Sequence, residues 1–422
     1  MIFEIITTAL MGGIALKAFG KKQGLASNDS GKIQRIISLS GLNVKDRKDT
    51  LTTQLIRKKQ YDWGWEYAYR IPLGRSYSDY QGKQHILEDG LNNRRQRITL
   101  ADLKALQLGD NIVEDLKALY KRKLTERKEI EISFDGLLKI RVYNEPMPKQ
   151  INWNENLLMP GTWSVPVGYT RNRDIICHDF DKSKHLIVAG ATGYGKSVIL
   201  KLIVTTLIHQ QPYNVELSLF DLKGGSAFHR FKDCKQVKYY GRNPGDVAEM
   251  LEQVQRDMEI AFERVVDNGF EDVKEANIKK RHFVVVDEAA DLAENKKATS
   301  IITDIARRGR SAGYYLIFCT QYPTATVLDS QVKRNIIARL CYVVDTDTAS
   351  RVVLDEGGAD KLPDIPGRGI YKNNVKRYVV QSPFISNETI HRLITPQIKG
   401  VNYDDETVEP TRRTNIIAFK KT

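Results

Sequence analysis

The chain has 422 residues, a formal net charge of +13, 41% hydrophobic and 28% charged residues. That length is too great for one small core and predicts two or three domains, while the composition excludes a wholly disordered or collagen-like chain. The cationic excess favours a polyanionic partner, nucleic acid or an anionic membrane surface. The four cysteines form no C-x-x-C pair, which argues against a zinc or redox motif and fits a reducing, cytoplasmic setting.

Residues 2–19 are mostly apolar, interrupted by Glu4 and Lys17 and followed by Lys21 and Lys22. As a helix they would extend about 27 Å at roughly 1.5 Å per residue, close to a hydrocarbon core of about 30 Å. Two readings stand: residues 1–22 anchor the chain to a membrane, with the following basic residues on the cytoplasmic side, or they form a helix packed on protein. Residues 23–59 read as a linker with a short helix. Residues 60–150 read as a small α+β domain, with strands over 67–72, 130–134 and 137–142 and helical spacing over 100–120. No catalytic pattern falls there. Residues 146–160 have turn and loop character and mark a boundary; 163–178 supply strands that lead into the next domain, 151–390.

From residue 184 onward strands and helices alternate. Strands are expected over 185–189, 215–220, 283–286, 315–319 and 339–344, and helices over 197–209, 246–267, 299–308 and 332–337. Such alternation predicts an α/β fold with a mostly parallel sheet covered by helices on both faces. Residues 391–422 are a polar, charged tail.

Between the first of these strands and its helix lies Gly190-Ala191-Thr192-Gly193-Tyr194-Gly195-Lys196-Ser197-Val198. Its glycines permit backbone conformations in which amides converge on phosphate oxygens, and the helix N-terminus adds a favourable dipole. The pattern assigns ATP to residues 190–198, Lys196 to the β- and γ-phosphates, and Ser197 to Mg2+. The 283–286 strand ends in Asp287 and Glu288, at the carboxyl edge where open α/β sheets bind ligands. Asp287 is expected in the Mg2+ shell, and Glu288 as the group that polarises the attacking water; the bland alternative is an acidic turn. Gln321 follows another strand and either senses the γ-phosphate or caps the strand. Asp221, in Asp221-Leu222-Lys223, either supports the site or closes a turn. An arginine supplied by a neighbouring subunit would stabilise charge in hydrolysis, and Arg307, Arg308, Arg310, Arg339 and Arg351 are the candidates in this half of the chain. Lys333 and Arg334 are candidates for DNA phosphate contacts or a solvated helix start.

The run 185–198, with Phe220-Asp221-Leu222-Lys223, 286–292, 306–313, 320–323, 332–336 and 350–355, resembles the FtsK/SpoIIIE family of DNA-pumping ATPases over roughly residues 160–385. The resemblance implies a RecA-like P-loop motor that forms a homohexameric ring around double-stranded DNA and translocates it through phosphate contacts. It makes Lys333 the foremost DNA contact and Arg310 the family arginine near the subunit boundary, with Arg339 as the alternative. Family chromosome pumps carry several membrane helices, a long linker and a C-terminal winged helix, and no room remains for the last after about residue 390. Tyr322, where an arginine is common, marks a divergent branch. A compact member of this kind resembles the coupling or transfer ATPases of conjugative plasmids and integrative elements, with relaxase or transfer-channel proteins as partners. Chromosome or phage DNA partitioning, protein export, and a nucleotide-gated docking role are the rival readings.

Overall fold

The computed structural model describes residues 29–47, 49–92 and 127–399. The expected membrane segment, the helical spacing over 100–120 and the tail beyond residue 399 lie outside them. Among the described residues no helix is long and apolar enough to cross a membrane. The chain divides into two compact units, Met1–Met147 and Pro148–Thr422.

The first unit runs α1 (Ser30–Leu39), β1 (Val44–Asp46), β2 (Asp49–Leu51), β3 (Gln54–Tyr61), β4 (Gly64–Arg70), α2 (Tyr77–Gln81), α3 (Gln84–Asn92), β5 (Glu129–Asp135) and β6 (Leu137–Tyr143). Four strands form an antiparallel sheet in the order β3-β4-β6-β5. Side chains alternate across the pleat, so Tyr67 and Tyr69 of β4, Leu138, Ile140 and Val142 of β6, and Ile130 and Ile132 of β5 share one core. Ile33 and Ile37 of α1 and Leu87 and Leu91 of α3 cover it. Gly136 joins β5 to β6 at φ +67°, a left-handed conformation that glycine adopts without a Cβ penalty.

The second unit contains β7 (Ser164–Tyr169), β8 (Ile175–Asp179), β9 (Leu186–Ala189), α4 (Lys196–Gln210), β10 (Val215–Asp221), β11 (Val237–Gly241), α5 (Pro244–Asp267), β12 (Arg281–Asp287), α6 (Lys296–Ala312), β13 (Tyr314–Thr320), α7 (Ser330–Asn335), β14 (Ala338–Tyr342), α8 (Asp347–Leu354), β15 (Arg368–Asn373), β16 (Lys376–Gln381) and α9 (Asn387–Ile394). Its ten-stranded sheet has the order β11-β10-β12-β13-β9-β14-β15-β16-β7-β8. From β11 to β14 neighbouring strands are parallel. The rest are antiparallel. Strand–helix alternation predicted the parallel part, and strands were expected over 163–178, where β7 and β8 lie; that they join the same sheet through antiparallel β15 and β16 was not foreseen, nor were β11, α8 and α9.

Two cores sandwich the parallel strands. Leu186 and Val188 of β9 and Phe283 and Val285 of β12 face one side with Ile199, Ile203 and Leu207 of α4. Ile187, Ala189, Val284 and Val286 face the other, against Leu251, Val254 and Met258 of α5 and Ile301, Ile302 and Ile305 of α6. Burial on both faces is why these strands read as unbroken Val and Ile runs rather than as alternation. Helix α5 buries Val247, Leu251, Val254, Met258 and Val265 at helical spacing. Helix α4 buries residues nearly all round because α9 covers its outer face. Every parallel strand therefore delivers its carboxyl end to one edge, and Gly190, Lys223, Glu288 and Gln321 all follow that edge.

Candidate functional site

The phosphate loop leaves β9 through Gly190, whose φ of +148° brings its backbone against Tyr342; a Cβ there would lie 2.7 Å from the Tyr342 Cβ. Gly193 and Gly195 follow at φ +89° and +102°. The Ala191 amide donates to the Val343 carbonyl (2.7 Å), and the Gly367 amide donates to the Tyr194 carbonyl (3.1 Å). The Tyr194 hydroxyl donates to Asp364 Oδ1 (2.9 Å). The loop is thus fastened by the end of β14 and by the turn that precedes β15. Helix α4 opens directly from it, with Ser197 and Val198 in its first turn, so unpaired helix amides face the edge. Lys196 is buried, and its Nζ donates to the Ala191 carbonyl at 2.7 Å. Burial lowers its pKa, because the ammonium is poorly solvated there. An anion brought to that ammonium restores the lost solvation.

Asp287 ends β12 fully buried, and among the described residues neither carboxylate oxygen has a hydrogen-bond partner. Burial raises its pKa; the Lys223 ammonium, 3.9 Å from Oδ1, offsets part of the rise. An orphaned carboxylate beside the phosphate loop and the Ser197 hydroxyl make an oxygen-only donor set, which fits a hydrated Mg2+. The sign of the raised pKa gives a test. A carboxyl that holds its proton more tightly when folded favours the fold at low pH, and that favour is lost as pH rises from 3.8 through the raised value. Asp287→Asn, which removes the buried charge, should therefore stabilise the nucleotide-free protein near neutral pH. Thermal melts at neutral pH would read this as a raised midpoint; an equal or lower midpoint would count against it.

Glu288 sits in the left-handed region at φ +66°, an uncommon place for a non-glycine residue. Its Oε1 accepts from Thr320 Oγ1 (3.0 Å) and the Gln321 amide (3.2 Å). Its Oε2 pairs with Lys223 Nζ at 3.2 Å. Gln321 in turn accepts, through Oε1, a hydrogen bond from Thr192 Oγ1 (2.5 Å). A continuous polar chain, Lys223–Glu288–Gln321–Thr192, therefore crosses the ends of β10, β12, β13 and β9 and joins the acid pair to the phosphate loop. Lys196, Ser197, Asp287, Glu288 and Gln321 lie along this one edge.

Other candidates fall elsewhere. Asp221 accepts from the amides of Lys223 (3.3 Å), Ala227 (2.6 Å) and Phe228 (3.2 Å), so it closes the turn after β10. Arg307 and Arg308 are paired with Asp304. Arg351 is paired with Asp347. Arg339 is buried and donates to the Ile336, Val353 and Lys333 carbonyls as well as to Asp355. Arg310 is exposed and forms no hydrogen bond or ion pair through its guanidinium among the described residues. It lies in the last turn of α6, immediately before β13 begins, hence at the edge opposite its own phosphate loop. Lys333 is held by Asp355 at 2.6 Å, whereas the neighbouring Arg334 is exposed. Sequence reasoning left Lys223 without a role and missed the strap at Asp364 and Gly367. The Pro363-Asp364-Ile365-Pro366-Gly367 turn cluster was the available signal for the strap.

Residues 151–282 match the FtsK/SpoIIIE family. Curated relatives include the DNA translocase FtsK of Streptococcus pneumoniae, 29% identical over 269 residues that cover 58% of this chain and 35% of the relative. That of Oceanobacillus iheyensis is 31% identical over 263 residues, covering 55% and 33%. The chain thus spans about a third of the length of these relatives. A solved structure of the pCW3 conjugation coupling protein TcpA, in monomer form with ATPγS, superposes with a TM-score of 0.58 at 19% identity, covering 87% of this chain and 98% of that one. The cytoplasmic domain of the Thermomonospora curvata Type VII secretion ATPase EccC gives 0.52 at 21% identity, covering 61% and 34%. At these identities the likeness is one of fold.

Proposed function

We propose that this chain, which matches the FtsK/SpoIIIE family over residues 151–282 and resembles DNA translocases, hydrolyses ATP to translocate double-stranded DNA, working as a homohexameric ring in conjugative DNA transfer. The observation that carries the reading is the polar chain from the acid pair to the phosphate loop through Glu288, Gln321 and Thr192. The amides of residues 190–198 hold the phosphates, and Lys196 exchanges the Ala191 carbonyl for the β- and γ-phosphate oxygens. Mg2+, held by Ser197 and Asp287, supplies neutralisation of the charge that grows on the phosphates. Glu288 accepts the proton of the attacking water. Gln321, bonded to both Glu288 and Thr192, ties that base to the phosphate side. Arg310, remote from its own phosphate loop, suits donation to a neighbouring subunit's site.

The net charge of +13 suits a DNA partner. Arg334 is ready to meet phosphates, while Lys333 must first release Asp355. Relaxase or transfer-channel proteins, and membrane attachment through residues 1–22, belong to the same reading. Long duplex DNA should raise the ATPase rate severalfold, and the protein should displace a third strand from a triplex-bearing duplex. Arg334→Ala should weaken binding evenly across sequences and reduce the slope of log affinity against log salt by about one. An ATPase rate indifferent to duplex DNA would refute the translocase reading.

A further inference from the structure

Lys223 has no task in the scheme above, yet its position is specific. Its Nζ lies 3.2 Å from Glu288 Oε2 and 3.9 Å from Asp287 Oδ1, and among the described residues no other cation is ion-paired with either acid. Its backbone amide is fastened to Asp221, which also holds the amides of Ala227 and Phe228. Between these anchors Gly224 and Gly225 adopt φ of +83° and +91°, conformations open to glycine. The segment therefore hangs from Asp221 by several bonds and from the acid pair by the Lys223 side chain and by the Leu222 amide, which donates to the Asp287 carbonyl at 3.3 Å.

We propose that Lys223 is a positioning residue that occupies the acid pair until a divalent cation arrives there, and that its displacement arms Glu288 and shifts the 222–231 loop. The inference rests on the reading of Asp287 as a Mg2+ donor. Two adjacent buried carboxylates repel each other, and a cation between them relieves the repulsion. The Lys223 ammonium does this with one charge. A divalent cation on Asp287 does it with two, and like charges at such separation repel strongly in a poorly solvated site. The ammonium then leaves Glu288. Oε2 loses its ion pair and keeps only the shared Gln321 amide (3.2 Å), which opens it to water, while Oε1 stays held by Thr320 and Gln321. The pairing thus keeps the base engaged when nucleotide is present without its metal. Moving Lys223 also pulls on the exposed His229 and Arg230 that follow in the same loop, so metal loading reaches the protein surface.

The test uses the full chain with ATPγS and free Mg2+ titrated by a chelator, reading nucleotide binding and amide hydrogen exchange of residues 222–231. In the wild type, Mg2+ should raise exchange in that loop. In Lys223→Met the half-saturating Mg2+ should fall about tenfold or more, since no ammonium competes for the acids, and the exchange response should vanish. Lys223→Arg should behave as the wild type. An unchanged or raised Mg2+ requirement in Lys223→Met would overturn the proposal, a raised one pointing instead to direct contact with phosphate. Should Lys223→Met fail to fold, the wild-type exchange decides: a loop indifferent to Mg2+ overturns the proposal. If the wild type fails to bind ATPγS under any condition, the nucleotide reading itself falls, and this inference with it.

Discussion

Glu288→Gln is expected to bind ATP as tightly as the wild type and to hydrolyse it about 100- to 10,000-fold more slowly, the range for loss of a positioned general base. The substitution is nearly isosteric. A glutamine keeps a carbonyl oxygen that accepts from Thr320 Oγ1 and the Gln321 amide, so the end of β13 should stay in place. What disappears is the ability to take a proton from water. Binding can be followed with a fluorescent ATP analogue and turnover with labelled phosphate in a single-turnover format. The separation of the two readouts is the point: normal affinity with collapsed turnover places Glu288 in the chemical step. Turnover within about threefold of the parent would remove Glu288 from that role, because even a weak general base contributes far more.

Lys196→Ala should fail earlier, at binding. The Lys196 ammonium is buried and donates to the Ala191 carbonyl, 2.7 Å away. Charge-assisted hydrogen bonds are worth about 1.5–3 kcal/mol each, so loss of a single such contact predicts roughly ten- to 150-fold weaker ATP binding, with a further loss of turnover as charge grows on the phosphates. The helix that carries it should survive. Helix α4 is held by Ile199, Leu200, Leu202, Ile203, Leu207 and Ile208, all buried, and the substitution touches none of them. Circular dichroism should match the parent while isothermal titration with ATP shows little or no heat. Parental ATP affinity in the variant would move the phosphate site away from this loop.

The parts of the fold that were legible in the sequence are those written locally. Strands β9, β12 and β13 are short apolar runs with β-branched residues, and each is followed by residues with site chemistry, so the edge positions of Lys196, Asp287, Glu288 and Gln321 could be read one element at a time. Sheet order could not. Strands β15 and β16 meet at a tight turn through Asn374, at φ +56°, but nothing local says that they continue the sheet beyond β14 rather than stand apart. Lys223 was left without a role because its partners lie about 65 residues further along, on a different strand. Lys333 shows the converse. Adjacent cations suggested an open phosphate contact, while Asp355, which engages Lys333, enters from the end of α8, an element with no strong sequence signal. Helix boundaries moved by a few residues, as caps such as Asn295 before α6 and Asp329 before α7 set the starts earlier than the apolar spacing implied.

Two stretches of the second unit that lie far apart in the sequence, 151–167 and 382–384, meet in the fold. The Ser382 hydroxyl donates to the Val167 carbonyl across a separation of 215 residues, and Phe384 and Ile151–Trp153 exchange backbone bonds beside it. During synthesis the β7–β8 pair must consequently wait, its free margin unmatched, until the far end of the unit has left the ribosome. At about 5–20 residues per second that interval is roughly 10–40 s. A nascent chain with an open strand margin for so long is a natural client for chaperones and a risk for misjoining with its neighbours on a polysome. Slower decoding before residue 384, or over the stretch whose synthesis pushes it out of the exit tunnel, would lengthen the exposure.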